Sequence, residues 1–266
     1  MVGRESNEIS SALESWYQRE NGQYALNQLS QALQPVLDLT FGYHIAQLAP
    51  LAGIDLLADS PINHRIQVAS FGGADAGLIT SFEELPLESD SVDALVAFHC
   101  LEFSEDPHQA LREMQRVLTP SGHLIIIGFN PLSLSGVVQR LKRIAGRAPW
   151  QRHSALSAHR VKDWMRLLQC PTEKLTHLYT VPPLGSGRLR SAMVRADAFC
   201  RSHNVSAGGI YMIHAIKQVA GGRKVQRRSK RERLIELAVP KPGVAPSPVP
   251  SSGVQTTSKK TAYEIR

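Results

Sequence analysis

Cysteine is scarce in this chain, with three in 266 residues: Cys100, Cys170 and Cys200. Their odd number and wide separation give neither a disulfide framework nor a zinc-ligand spacing, and a reducing cytosol is the expected compartment. No apolar run reaches the roughly 18 residues of a membrane-spanning helix. The N-terminal stretch "MVGRESNEISSALESWYQRE" lacks the apolar core of a secretory signal. Histidines and carboxylates are scattered without metal-ligand spacing, so no metal is expected. The Gly-x-Gly-x-x-Gly turn is missing too, which argues against an NAD-linked dehydrogenase.

Negative charge is what the last segment lacks. Gly222–Arg266 holds eleven Lys and Arg against three Asp and Glu, a net of +8. Removing these from the chain totals of 30 basic and 23 acidic residues leaves −1 for the rest. The basic balance therefore belongs to a tail, and a uniformly basic nucleic-acid-binding body is disfavoured. The tail is also rich in Pro and Ser and has little to bury, so disorder is expected over 222–266, with a short helix near Lys230–Leu237 as an option. Its run "RKVQRRSKRER" reads as a solvated segment, or as a weak contact for RNA or an anionic surface.

The body, to about residue 221, alternates helical and extended patterns. Two amphipathic helices are expected in "ISSALESWYQRE" and "YALNQLSQALQPVLDLTFG", with Pro35 as a possible kink and Gly42 as the stop. "HIAQLAPLAG", "HRIQVAS", "GLITS" and "VDALVAFHC" read as four strands, the last apolar enough to be central in a parallel sheet. "SEDPHQALREMQRVL" is a capped helix with Ala110, Leu111, Met114, Val117 and Leu118 on one face. "TPSGH" is a turn and "LIIIGF" a buried strand. A capped helix ("SAHRVKDWMRLLQC"), a strand ("KLTHLYTV"), a helix ("RLRSAMVRADAFCRSH") and a last strand ("GGIYMIHAIKQV") follow. Five βα-type units and two terminal strands predict an α/β, doubly wound, seven-stranded, mostly parallel sheet with an antiparallel last strand. The expected organisation is N-terminal helices over 1–40, an α/β domain over 41–221 with an insertion at 130–153, and the tail.

Thr80–Pro131, "TSFEELPLESDSVDALVAFHCLEFSEDPHQALREMQRVLTPSGHLIIIGFNP", resembles without a gap the central half of class I S-adenosylmethionine-dependent methyltransferases with a type 11 methyltransferase domain. The weaker patterns "SWYQRENGQYAL" and "FGYHIAQLAP" are similar to a bacterial subgroup of predicted methyltransferases. The resemblance covers Trp16–Val219 and implies S-adenosylmethionine as methyl donor. In the family the first strand ends in an acid followed by Gly-x-Gly-x-Gly, whose glycines let the loop pass under the donor. One alignment puts Gln47 at the acid, Ala49 and Leu51 at the first two glycines, and Gly53 at the third. Another uses Asp38 and Gly42.

The resemblance further implies a ribose-binding carboxylate after the second strand, where no acid stands and Asp75 comes late. It puts Ser81 at a frequent Asp position, with Phe82 against adenine and Glu83 beside it. It sets His99 near the sulfonium, as a general base or as a packed strand-end histidine. Cys100 in its apolar run is a poor nucleophile. Ser104 and Asp106 read as helix caps rather than metal ligands with Glu102 and Glu105. Asn130-Pro131 follows the fifth strand, too late for a nitrogen-methyltransferase motif. Methyl transfer to a small molecule is the favoured expectation, and a non-catalytic binding module on the same fold is the alternative.

Overall fold

The computed structural model describes residues 11–50, 53–70, 77–133, 156–183, 186–203 and 205–218. The tail, Leu51, Asp75 and all but the first residues of the 130–153 insertion lie outside them. Helix α1 covers residues 11–18 and α2 covers Glu20–Leu37. Then come β1 (His44–Ala49), β2 (His64–Ala69), β3 (Leu78–Ile79), β4 (Val92–Phe98), α3 (Cys100–Phe103), α4 (Pro107–Val117) and β5 (Leu118–Phe129). The chain continues with α5 (Ala158–Leu167), β6 (Thr172–Leu178), α6 (Gly187–Ser202) and β7 (Ile210–Ile216).

The seven strands form one sheet in the order β3-β2-β1-β4-β5-β7-β6. The pairs from β3 to β5 are parallel, and β7 runs antiparallel to both of its neighbours. This is the predicted architecture. Alternation along the strands divides the core. Ala46, Leu48, Leu95, Ala97, Leu124 and Ile126 pack under α4 and α5. Ile45, Ala49, Ala94, Val96, Phe98, Ile125 and Ile127 pack under α1 and α2. Helix α2 buries Ala25, Leu29, Leu33, Val36 and Leu37 at three- and four-residue spacing. Each large apolar side chain so buried contributes roughly 1.5–3 kcal/mol.

Several expectations need correction. Among the described residues five βα units do not form. Among the described residues no helix joins β1 to β2, and residues 53–63 run as loop and turn. That loop is fastened by side chains instead. Gln47 Nε2 donates to Ile54 O, Leu56 N donates to Gln47 Oε1 at 2.8 Å, and Gln67 Nε2 donates to Asp55 Oδ1 at 3.0 Å. The sheet face that a crossover helix would cover is covered by α1 and α2. Helix α2 stops at Leu37, well before Gly42, because Thr40 and Leu39 turn back on its last carbonyls. Pro35 lies in the last turn, and the helix runs through it. Asp38 is the C-cap of α2 and so belongs to no strand. The "TPSG" turn is a bulge inside β5, since Leu118 pairs with Val92 while His123 pairs with Ala94.

Candidate functional site

The carboxyl ends of β1, β2 and β4 meet at one edge of the sheet, where an open parallel α/β fold binds ligands. Strand β4 delivers His99. Its backbone is left-handed, with φ 54°, a conformation a non-glycine residue holds only when its surroundings enforce it. The imidazole is fully buried. Nδ1 lies 2.7 Å from Glu102 Oε2, and Nε2 lies 2.5 Å from the Tyr17 hydroxyl. The ring stacks on Phe129 with centroids 4.0 Å apart, and Phe98 meets it edge-on.

Glu102 fixes the protons of this array. Its Oε1 accepts the backbone N–H of Phe129. An ionised carboxylate only accepts, so Oε2 takes the Nδ1 proton of His99. Nε2 is then the acceptor of the Tyr17 hydroxyl, a tautomer assigned from the hydrogen-bond network. Tyr17 belongs to α1, 82 residues away in sequence, and closes over the site from outside the sheet. Burial, with the nearby Glu102 charge and Tyr179 adding to it, raises the Tyr17 phenol well above its ordinary value. Neighbouring Gly22 allows the α1–α2 corner, because a Cβ there would strike the Trp16 and Tyr17 backbone.

The residues expected around the donor are brought to this edge in different states. Gln47 is buried, and both ends of its amide are taken up by the loop at Ile54 and Leu56. Its position is polar because the loop needs both a donor and an acceptor there. Ala49 is buried in the core under α1 and α2. Gly53 is exposed at the loop tip. Phe82 does not present a face for adenine; it is buried in the core with Leu85 and Leu101. Ser81 donates to Glu83, and so does Ser104, which is the C-cap residue of α3. Asp106 alone caps α4, accepting from His108 N and Gln109 N at 2.9 and 3.1 Å. Burial works to raise the Glu83 carboxyl, but hydrogen bonds from Ser104, Ser81 and the Asp106 N–H outweigh it and hold the group below its usual range. Cys100 is buried beside Glu102; burial and that charge push its thiol up, so it is no nucleophile. Asn130 donates to Ser206 O and Gly208 O, a structural role.

Tyr17, Glu102 and Ser70 were not expected as site residues. Ser70 follows β2, where the family carries its ribose-binding acid. Its hydroxyl is buried and lacks a hydrogen-bond partner among the described residues. Between the loop after β1 and helices α1 and α2 lies a cleft of about 270 Å³. Tyr17, Glu14, Gln18, Gln23, Gly53 and Asp55 line it, with Ser30, Leu26, Ile54 and Leu56.

The comparisons agree with this geometry. A family model described as a methyltransferase domain matches residues 41–126, from the run-in to β1 into β5. The uncharacterized protein YafS of Escherichia coli K12 is 27% identical over 154 residues, 58% of this chain and 63% of its own length. An uncharacterized methyltransferase of Mycobacterium bovis is 32% identical over 124 residues, 45% of this chain and 49% of its own. The chain thus spans from about half to just under two thirds of the length of the curated relatives it matches. Among solved structures, an S-adenosylmethionine-dependent methyltransferase of Thermotoga maritima, titled a possible histamine N-methyltransferase, superposes with a TM-score of 0.60 at 19% identity. That match covers 82% of this chain and all of the other. The cyclase SpnF superposes at 0.57 and 15%, covering 82% and 96%. Residues 41–126 match a methyltransferase domain, and the chain shares the fold of class I methyltransferases.

Proposed function

We propose that the protein transfers a methyl group from S-adenosylmethionine to a small acceptor. The observation that supports this most is the family match over residues 41–126, the segment that builds the carboxyl edge of β1, β2 and β4. The side chains there fit a nucleoside-bearing donor. The buried, unpartnered Ser70 hydroxyl after β2 is a free donor and acceptor for a ribose hydroxyl. The loop at Gly53–Leu56, held by Gln47, offers backbone groups to the methionine end. The donor, when bound, supplies a methyl group already activated by a positive sulfur. The protein's own task is then to position the acceptor and remove its proton.

Calorimetry with S-adenosylmethionine and S-adenosylhomocysteine tests the reading. Saturable heat with both, weakened in Ser70→Ala, is the expected result. Loss of one hydrogen bond to an uncharged group costs roughly 0.5–1.5 kcal/mol, or about two- to tenfold in affinity.

One observation favours a second reading. The glycine turn is depleted, among the described residues no helix joins β1 to β2, and Phe82 and His99 are packed into the edge. A class I fold that only binds a partner fits those facts, and the superposition on a cyclase shows that the fold alone does not fix the reaction. Absence of heat and of any thermal shift at millimolar donor would establish that reading.

A further inference from the structure

We propose that the outward face of α6 docks on a bilayer containing anionic phospholipid, with Leu189 and Phe199 entering the lipid and Arg188 and Arg195 meeting its phosphates. The inference goes beyond the methyltransferase reading and does not depend on it. Helix α6 runs for 16 residues, yet the one side chain it buries is that of Asp197. At about 100° per residue, Arg190, Val194, Asp197 and Arg201 share the face turned to the body. Asp197 is fully buried there, and Arg190 pairs with Glu20 at 3.0 Å. Another face carries Leu189, Ala192, Ala196 and Phe199 at three- and four-residue spacing, and all of them are exposed. Leu189 is 57% and Phe199 65% exposed. A helix on a globular protein ordinarily turns such a stripe to the core. Here the body-facing side is organised around a carboxylate, and the apolar stripe is left in water.

The border of the stripe decides what covers it. Arg188 and Arg195, seven residues apart, lie along one side of it, exposed and without an ion pair among the described residues. The exposed residues of α6 include no acid. Apolar side chains edged by unpaired guanidiniums match a surface in which hydrocarbon and negative charge lie side by side, as they do at the headgroup boundary of an anionic leaflet. Charge alone does not suffice, since two arginines hold few phosphates and a nucleic acid would leave the stripe in water. Apolar area alone does not suffice either, because two of the stripe's residues are alanines. Both contributions are needed, so binding requires anionic lipid. The contact is peripheral: no helix among the described residues is long and apolar enough to cross a membrane.

The test mixes the full chain, tail included, with vesicles of phosphatidylcholine alone and of equal parts phosphatidylcholine and phosphatidylglycerol. Sedimentation with the anionic vesicles and not the neutral ones is the expected result. Leu189→Ser combined with Phe199→Ser weakens it by about tenfold for each side chain withdrawn from lipid. Arg188→Gln combined with Arg195→Gln weakens it by about fivefold for each charge removed. All four positions are exposed, so both double variants melt within about 2 °C of wild type. A second readout needs no variant. Cys200 borders the stripe and is half-exposed, whereas Cys100 and Cys170 are buried. An environment-sensitive fluorophore on Cys200 shifts its emission to the blue when anionic vesicles are added. Failure of the wild type to sediment overturns the proposal, as does undiminished sedimentation of the Leu189 and Phe199 variant. Sedimentation with no emission shift assigns the contact to the basic tail and also overturns it. Loss in the arginine variant alone, with equal binding to RNA, replaces the bilayer by a polyanion.

Discussion

Asp197 is the side chain whose loss the fold should tolerate least. It is fully buried on α6 and takes hydrogen bonds on both oxygens. Oδ1 accepts Thr180 N at 2.7 Å and Val181 N at 2.9 Å, just past the end of β6. Oδ2 accepts the Tyr24 hydroxyl at 3.0 Å and the Gln28 amide, both on α2. Gln28 Oε1 in turn accepts Tyr179 N at 3.1 Å. One carboxylate thus joins α2, α6 and the end of β6. Asp197→Ala leaves two backbone N–H groups and the Gln28 amide without partners, while the half-exposed Tyr24 hydroxyl regains water. Unsatisfied buried groups cost about 1–3 kcal/mol each, and breaking a buried charged contact costs about 3–5 kcal/mol in all. A loss of about 4 kcal/mol corresponds to about 8–16 °C in Tm for a domain of this size. Asp197→Asn keeps an oxygen for the two N–H groups and loses only the α2 side, so about 1–2 kcal/mol is expected. Thermal melts at neutral pH measure both. An Asp197→Ala variant melting within about 2 °C of wild type would refute the reasoning, because other groups would then be satisfying the partners that the carboxylate holds.

Restoring the family's acid is expected to harm the chain. In Gln47→Glu a carboxylate oxygen faces the Ile54 carbonyl, at a cost of about 1–3 kcal/mol by denaturant titration, with no gain in S-adenosylhomocysteine affinity. Gly128→Ala puts a Cβ 2.6 Å from the Tyr211 hydroxyl and 3.1 Å from Glu102 Oε1. This overpacking beside Tyr211 and Glu102 is expected to cost about 1–3 kcal/mol in the same assay. His214, on β7, is held down to about 4 by burial, then by His123 and Lys174. Its folded value lies below its unfolded one, so the stability it confers is complete above about pH 6.5 and is lost as pH falls toward about 4. The full shift is worth about 3 kcal/mol, reduced to about 1–2 kcal/mol for solvent screening of a partly exposed ring. His214→Phe should therefore flatten the stability profile between those values, and an unchanged slope in urea titrations would assign it to other groups. Removing Gly222–Arg266 should abolish retention on a polyanion column, given the net +8 of that segment, and unchanged retention would place the basic surface in the body.

Much of the sheet was legible because its strands carry their own signal. "VDALVAFHC" and "LIIIGF" are apolar on both faces since each strand is covered on both faces, and α4 shows its cap, its proline and its apolar stripe within one short segment. The missing helix after β1 was not legible. A parallel pair needs a long connection, usually helical, and residues 50–63 are long enough to invite that reading. The polar groups that hold the loop flat instead, Gln47, Asp55 and Gln67, lie on three separate segments and have no common spacing.

The site was legible only where function and local pattern coincide. His99 stood out because a histidine leaving an apolar strand is conspicuous. Its partners did not, for two reasons. Glu102 is three residues on, in a helix too short to show a period, and it resembles its neighbour Glu105, which lies exposed. Tyr17 occupies a core-facing position of an amphipathic helix, where an aromatic residue needs no further explanation. Only the fold brings its hydroxyl onto Nε2. The same reasoning reverses the meaning of Phe82 and Gln47. Each stands where the family touches its donor, yet each is buried and committed to holding the edge together. Family position therefore marks an edge of the sheet, while the fold decides how each side chain there is engaged. Tyr17, whose hydroxyl meets His99 Nε2, comes from α1, outside the matched segment, so assays on residues 41–126 alone would remove that contact.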